Sequence, residues 1–289
     1  MATTSPLNIW KIDHEDADQR RALYEYLGPR ETHSLFIVGN LSSRLPGSHL
    51  YVASRGNEWV GIAGYYELPK SLIPFSTEPD VARALARHVA GIHPIEWANG
   101  VGYATWPAYE ELLALGFKAM NDPRELFMEL SLSQVEQLPM TAHEKRVRLI
   151  RPHEAEELAW LLRYLTRPGD VSPMTEEEIA KVRLNPHRLV LEADGRIAAT
   201  ASTNGLGLRA FQILAVVTHP EARRRGYAKA VCSALIRQMR KQGAEHGALF
   251  THHDNAAAKA CYEGLGFRVT GDYCLGKLQR PGQSSEPLT

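Results

Sequence analysis

Hydrophobic positions along this chain follow two rhythms. Short apolar or alternating runs of strand length are separated by longer stretches where apolar residues recur at steps of three and four. In the first half, Leu7–Ile12 reads as a strand, Asp16–Leu27 as a helix with an acidic start, and Glu31–Leu41 as a second helix. Leu50–Ala53 and Trp59–Tyr66 read as strands joined by a turn at Arg55-Gly56-Asn57. Leu72–Phe75 is a further apolar run, Val81–Val89 is helical, and Ile95–Ala98 is a candidate strand. Pro107–Leu115 is helical and stops at Gly116-Phe117, and Leu126–Leu132 alternates as a last strand.

The same order then returns. Val147–Ile150 is a strand, and Pro152–Arg163 and Thr175–Val182 are helices, the second opening on a Thr175/Glu178 capping box. Leu189–Ala193 and Ile197–Ser202 form a hairpin about Asp194-Gly195. The apolar run Ile213–Val217, a helix through Met239, a short strand Ala248–Thr251, another helix and the strand-like Val269–Leu278 complete it. The hairpin turns of the two halves are offset by about 140 positions and their Gly-Phe pairs by about 150, which reads as an internal duplication. An unrelated α+β first domain is the alternative. The expected domains are 1–133 and 145–289, with a polar, aperiodic linker 134–144 and a loose tail 280–289.

The stretch Ile213–Phe267 carries the chemistry. After its strand come Thr218, His219, Pro220 and the basic turn Arg223-Arg224-Arg225-Gly226-Tyr227-Ala228. Ala228, Val231, Cys232, Leu235, Ile236 and Met239 line one face of the helix that follows; Lys229, Ser233, Arg237, Arg240 and Lys241 fall on the other. A helix start leaves unpaired backbone N–H groups at an electropositive end, where an anion such as a phosphate fits. Gly226 lets backbone approach closely, and arginines add charge-assisted bonds. Beyond it, Asp254 or Asn255 caps a second helix with Ala258, Cys261, Tyr262 and Leu265 on one face and Gly266 at its end.

R-x-x-G-x-A after a strand, followed by N-x-x-A-x-x-x-Y-x-x-x-G-F (Asn255, Ala258, Tyr262, Gly266, Phe267), resembles the GNAT superfamily of acyl-CoA-dependent N-acyltransferases. The resemblance implies an α+β fold: a mixed, mostly antiparallel sheet flanked by helices, here as two tandem GNAT-like domains. It implies acetyl-CoA as acyl donor and an amine as acceptor, small-molecule or peptide. Carried over by motif position, the backbone of Val216, Val217 and Thr218 would hold the pantetheine arm. The turn Arg223, Arg224, Arg225, Gly226, Tyr227 and Ala228 would take the pyrophosphate. Asn255, with Lys259 as a weaker candidate, would contact the arm. Tyr262 would protonate the departing thiolate, since a phenol with a pKa near 10 is protonated at neutral pH. Arg224 stands where related sequences often have glycine; a positive φ there would strain it.

For the base that neutralises the amine, the strand before the turn offers Gln212, which takes no proton usefully. Glu192, His219, His252, His253 and ordered water stay open. The first half has Ser76-Thr77-Glu78-Pro79-Asp80 in place of the basic turn and Leu112 in place of the tyrosine. Two carboxylates at a helix start repel a pyrophosphate, so this half is expected to be degenerate, serving as scaffold or as one wall of the substrate cleft with Trp97, Trp106 and Tyr109 as lining residues. A non-catalytic acyl-CoA-binding or protein-interaction module is the rival reading.

Composition narrows the partners. The 289 residues are 44 % hydrophobic and 23 % charged with zero formal net charge, ordinary for a globular protein and without the bulk charge that nucleic acid asks for. Three cysteines, Cys232, Cys261 and Cys274, form no C-x-x-C pair and suit a reducing, cytoplasmic setting. No apolar run approaches the roughly 18 residues of a membrane span. His246, His252, His253 and Asp254 raise a metal site, but adjacent histidines on a strand point to opposite faces, so no metal is expected. The oligomeric state is not legible.

Overall fold

The strands alternate their apolar side chains between two helical layers, and this builds each half of the molecule. The structure, a computed structural model, describes residues 5–133, 140–167, 169–183 and 187–282. Two units pack separately and are interleaved along the chain. One takes Met1–Met128, Phe250–Asp254 and Val269–Thr289; the other takes Glu129–Leu249 and Asn255–Arg268. The contiguous ranges 1–133 and 145–289 mark where the element order repeats, and the packed units follow different boundaries.

In the first unit the order is β1 (Leu7–Ile12), α1 (Ala17–Leu27), α2 (Glu31–Ser42), β2 (Ser48–Arg55), β3 (Glu58–Tyr66), β4 (Ser71–Phe75), α3 (Pro79–Ile92), β5 (Trp97–Val101), α4 (Gly102–Ala114), β6 (Lys118–Ala119) and β7 (Arg124–Ser131). The β1–β2–β3–β4 pairs are antiparallel, whereas β4 and β5 run parallel. On β2, Leu50 and Val52 join Leu23, Leu27, Ile37 and Val38 of α1 and α2 in one core. Tyr51 and Ala53 join Val81, Leu85, Ala108 and Leu112 of α3 and α4 in the other. This two-sided burial follows from the period of two along a strand. The helix expected from Pro107 begins at Gly102, with Pro107 inside it. Proline there gives up the bond to the Tyr103 carbonyl, and its burial in the core offsets that loss.

The second half of the chain repeats the order: β8 (Val147–Leu149), α5 (Ala155–Thr166), α6 (Glu176–Arg183), β9 (Leu189–Ala193), β10 (Arg196–Leu206), β11 (Ala210–Thr218), α7 (Tyr227–Lys241), β12 (His246–His252), α8 (Ala256–Glu263) and β13 (Arg268–Gln279). β8–β9–β10–β11 are antiparallel and β11–β12 parallel. The capping box forms, with Glu178 N–H donating to Thr175 Oγ1 and Thr175 N–H to Glu178 Oε2. Asp194 and Gly195 both have positive φ, 54° and 75°, as the tight hairpin turn demands.

β13 belongs to the first unit for most of its length. Tyr273–Lys277 pair antiparallel with β5, and Cys274 and Leu278 enter the α3–α4 core. Gly276 is obligatory there: a Cβ would stand 2.3 Å from the Tyr109 ring.

The region expected as linker is ordered where it is described. Residues 134–139 lie outside the described residues, but Glu144–Arg146 forms a 3-10 turn whose Glu144 is buried. Its carboxylate accepts from Ser233 Oγ and Arg237 Nε, both at 2.8 Å. Ser233, expected on the solvent face of α7, is therefore buried.

Candidate active site

The site begins as a defect in β11. Opposite β10, Val217 pairs with Thr200 but Leu214 with Ser202, so β11 carries one extra residue. Ala215 absorbs it at φ 52°. Such a bulge bends a strand and re-aims its side chains. Val217 packs among α5 and α6, and the register places Leu214 and Gln212 on that same face. On the opposite edge, the parallel pairing with β12 covers Ala210–Gln212 alone, while β11 runs on to Thr218. Val216 and Thr218 are half-buried and Val217 is buried. The backbone of Val216–Thr218 thus follows the point where the parallel pair ends.

β11 leads through a 3-10 turn (Pro220–Ala222) into the basic turn. Arg224 has φ 61°, the left-handed conformation that its sequence position raised as a strain. Gly226 has φ 79° and stands at the N-cap of α7, whose first turn receives no side-chain cap. The amide of Ala230 is the first to bond back, to Gly226, so the N–H groups of Tyr227, Ala228 and Lys229 are the free donors of this helix end.

The arginines differ in their commitments. Arg223 lies 5.8 Å over the Tyr164 ring. Arg225 reaches Asp194 of the hairpin at 3.2 Å. Arg224 is exposed. Tyr227 is buried, with His143 edge-on at 4.8 Å and the Arg146 guanidinium 5.9 Å from its ring. A Cβ at Gly226 would meet His143 Cδ2 first, at 4.0 Å. His143 and Arg146 therefore sit at the basic turn, with Glu144 between them in sequence, and sequence reasoning missed them. Nothing in the polar run before β8 distinguishes them from solvated linker residues.

In α8, Asn255 caps the helix by accepting from Ala258 N–H at 3.1 Å. Lys259 lies 3.9 Å from Glu263, one turn on. Tyr262 is 7 % exposed and packs against Phe267 with ring centroids 6.1 Å apart. Burial pushes its phenol well above 10, and the nearby Cys232 and Cys261 thiols push the same way. The phenol therefore keeps its proton at neutral pH.

The groups considered as bases separate clearly. Glu192 is paired with Arg148 at 2.8 Å. His219 caps Glu221 N–H weakly at 3.4 Å and opens into a cavity of about 410 Å³ with Glu157, Trp160, Tyr164 and Arg196. His252 and His253 were expected to point apart; their ring centroids instead lie 4.3 Å apart, because β12 ends at His252 and strand alternation ends with it. Gln212 is 2 % exposed, and its Oε1 has no hydrogen-bond partner.

The first unit lacks this chemistry at the matching positions. Glu78 is paired with Arg55, Ser76 Oγ accepts from Glu78 N–H at 3.1 Å, and Pro79 opens α3 without an N–H. Leu112 is buried in the α3–α4 core.

A bulged strand runs through a positive-φ turn into an uncapped helix, the kind of helix end at which an anion can be held. Residues 154–267 match the model of the acetyltransferase (GNAT) family, and this segment is a GNAT-family domain. The GNAT fold extends over the rest of the chain. A Drosophila protein of solved structure aligns over 93 % of this chain and 98 % of its own, at 17 % identity and a TM-score of 0.67. A GCN5-related N-acetyltransferase from Sphaerobacter thermophilus aligns over 97 % and 99 %, at 13 % identity and 0.57. A tandem GNAT protein from the clavulanic acid biosynthesis pathway aligns over 96 % and 100 %, at 16 % identity and 0.55. A search of the curated proteins found no match. No helix among the described residues is long and apolar enough to cross a membrane.

Proposed function

We propose that this protein is an acetyl-CoA-dependent N-acetyltransferase whose second half, 145–289, binds the cofactor and carries out the transfer. The observation that carries the proposal is the continuous path from the Ala215 bulge, through Val216–Thr218, to the uncapped start of α7 at Gly226. The backbone along Val216–Thr218 receives the pantetheine arm. The free N–H groups after Gly226 receive the pyrophosphate, with Arg223, Arg224 and Arg225 adding positive charge. Asn255 and Lys259 flank the arm. The unpartnered Gln212 oxygen offers an acceptor for an N–H of the arm or of the amine.

In the transfer, the amine nitrogen attacks the thioester carbonyl carbon and the carbon–sulfur bond breaks. The departing thiolate takes a proton from the Tyr262 hydroxyl. The new amide nitrogen gives up its proton to water or to a nearby base, and Tyr262 is reprotonated, so an amine and acetyl-CoA become an amide and free CoA. These steps use no metal. The acceptor is a small-molecule or peptide amine. The first unit serves as scaffold, since its own turn is occupied by the Arg55–Glu78 pair. A cytoplasmic setting suits the three free thiols.

The test is thiol release from acetyl-CoA across a broad amine panel, with wild type beside Tyr262→Phe and cofactor binding followed by thermal shift. Amine-dependent release that falls at least about tenfold in the variant, with the shift retained, is expected for a general acid. A clear shift with no release from any amine would leave a binding module in place of an enzyme.

A further inference from the structure

The end of β12 brings together groups that the transfer does not use. His252 is the last residue of the strand, and His253 and Asp254 form the turn after it. Asp122 precedes β7 in the same packed unit. One ligand atom each from Asp122, His252 and His253 lies within 4.8 Å of the others. Ligand atoms on a tetrahedral zinc, with bonds of about 2.0–2.1 Å, stand about 3.3 Å apart. Small rotations of exposed side chains close that difference.

The surrounding bonds already orient these groups. Arg124 donates from its backbone N–H and from Nε to the same oxygen of Asp122, Oδ1, at 3.2 and 3.1 Å. That fixes the carboxylate and leaves Oδ2 outside the pair. His253 Nδ1 is 3.4 Å from the Arg124 carbonyl oxygen. An outer hydrogen bond of this kind sets the tautomer of a ligating histidine and leaves Nε2 with the lone pair. Asp254 Oδ1 stands 3.2 Å from Nε2, a contact that an ion bound at Nε2 would displace. His252 presents Nδ1 to the backbone N–H and the carboxylate of Asp254, at 3.4 and 4.0 Å. Glu125 adds a carboxylate within electrostatic reach of both imidazoles. Two imidazoles ringed by carboxylates form a donor set of borderline softness, which selects zinc, cobalt, nickel or copper over magnesium or calcium.

We propose that Asp122, His252 and His253 bind one divalent transition-metal ion of the zinc class, with water completing the coordination. The ion would tie the end of β12 to the turn ahead of β7.

The test uses the full-length, tag-free protein after chelator treatment. Zinc chloride is titrated by calorimetry, and cobalt chloride is followed by its visible absorption. One zinc per chain is expected, with a cobalt spectrum of histidine-carboxylate coordination. Asp122→Asn, His252→Gln and His253→Gln should each weaken zinc by at least about tenfold, since even outer-shell partners of a ligand are worth about 10–100-fold. Glu263→Gln, on α8, should bind as wild type does. Lack of saturable uptake overturns the proposal. So does uptake that survives all three ligand substitutions, which would place the ion elsewhere on the surface.

Discussion

Replacing Gly226 by alanine separates backbone strain from ligand contact at the turn. Gly226 has φ 79° at the N-cap of α7. A Cβ built there meets nothing in the protein nearer than His143 Cδ2, at 4.0 Å, so the methyl group does not clash. The penalty is conformational. A left-handed L-residue costs about 1–2 kcal/mol, and the reduced freedom of the unfolded chain returns up to about 1 kcal/mol. The net loss is about 1 kcal/mol, or about 2–4 °C in Tm for a unit of this size. Bound acetyl-CoA should suffer more, because the methyl stands where the phosphate meets the free amides of Tyr227–Lys229. We expect Kd to rise at least about tenfold, equivalent to about 1.4 kcal/mol. Thermal melts with and without acetyl-CoA, together with calorimetric titration, read the two effects separately. An apo Tm that collapses would refute the absence of a clash. Unchanged affinity would refute the turn as the pyrophosphate site. Arg224→Gly is the mirror case: relief at φ 61° and added chain entropy are of similar size, so Tm should stay within about 2 °C of wild type.

Other predictions concern stability. Glu144→Ala leaves a backbone amide, Ser233 and Arg237 without their acceptor and should cost about 2–4 kcal/mol in urea denaturation; a change below about 0.5 kcal/mol, the usual range for a surface substitution, would mean that the segment is not docked. The Glu154 carboxyl is held down from 4.5 to about 2, chiefly by its hydrogen bonds from Arg148. A depressed folded pKa gives stability that is fully present above the unfolded value and lost as the pH falls through the folded one. Acid melts should therefore steepen between about pH 4.5 and 2, and Glu154→Gln should flatten that limb. An identical acid limb in the variant would assign the loss to other carboxylates.

Much of the local structure was legible because it rests on local physics. The period of three and four placed α7 and α8. Asp194-Gly195 fixed a hairpin turn whose two positive φ angles follow from residue type. The Thr175/Glu178 box and the Asn255 cap formed because short polar side chains satisfy helix-end amides wherever they stand. The element order appeared twice, and the acidic Ser76–Asp80 loop argued on charge against a phosphate cradle in the first half. The strain expected at Arg224 is present, since a fixed turn geometry imposes its φ whatever residue fills it.

Tertiary structure decided what depends on partners distant in sequence. No pattern in β13 says that it pairs with β5; a strand carries its alternation but not the identity of its neighbour. The polarity of residues 134–144 suggested a solvated linker, yet Ser233 and Arg237 of α7 supply the bonds that make burying Glu144 tolerable. The bulge at Ala215 is invisible in an apolar run, because one extra residue shows only against the register of β10. His252 and His253 come together because β12 ends between them, and strand alternation holds only while the strand does. The residues themselves determined which groups were available and how each segment would coil or extend. Packing fixed which of them meet, since contact energy is gained only when chain entropy has been spent to bring distant residues together.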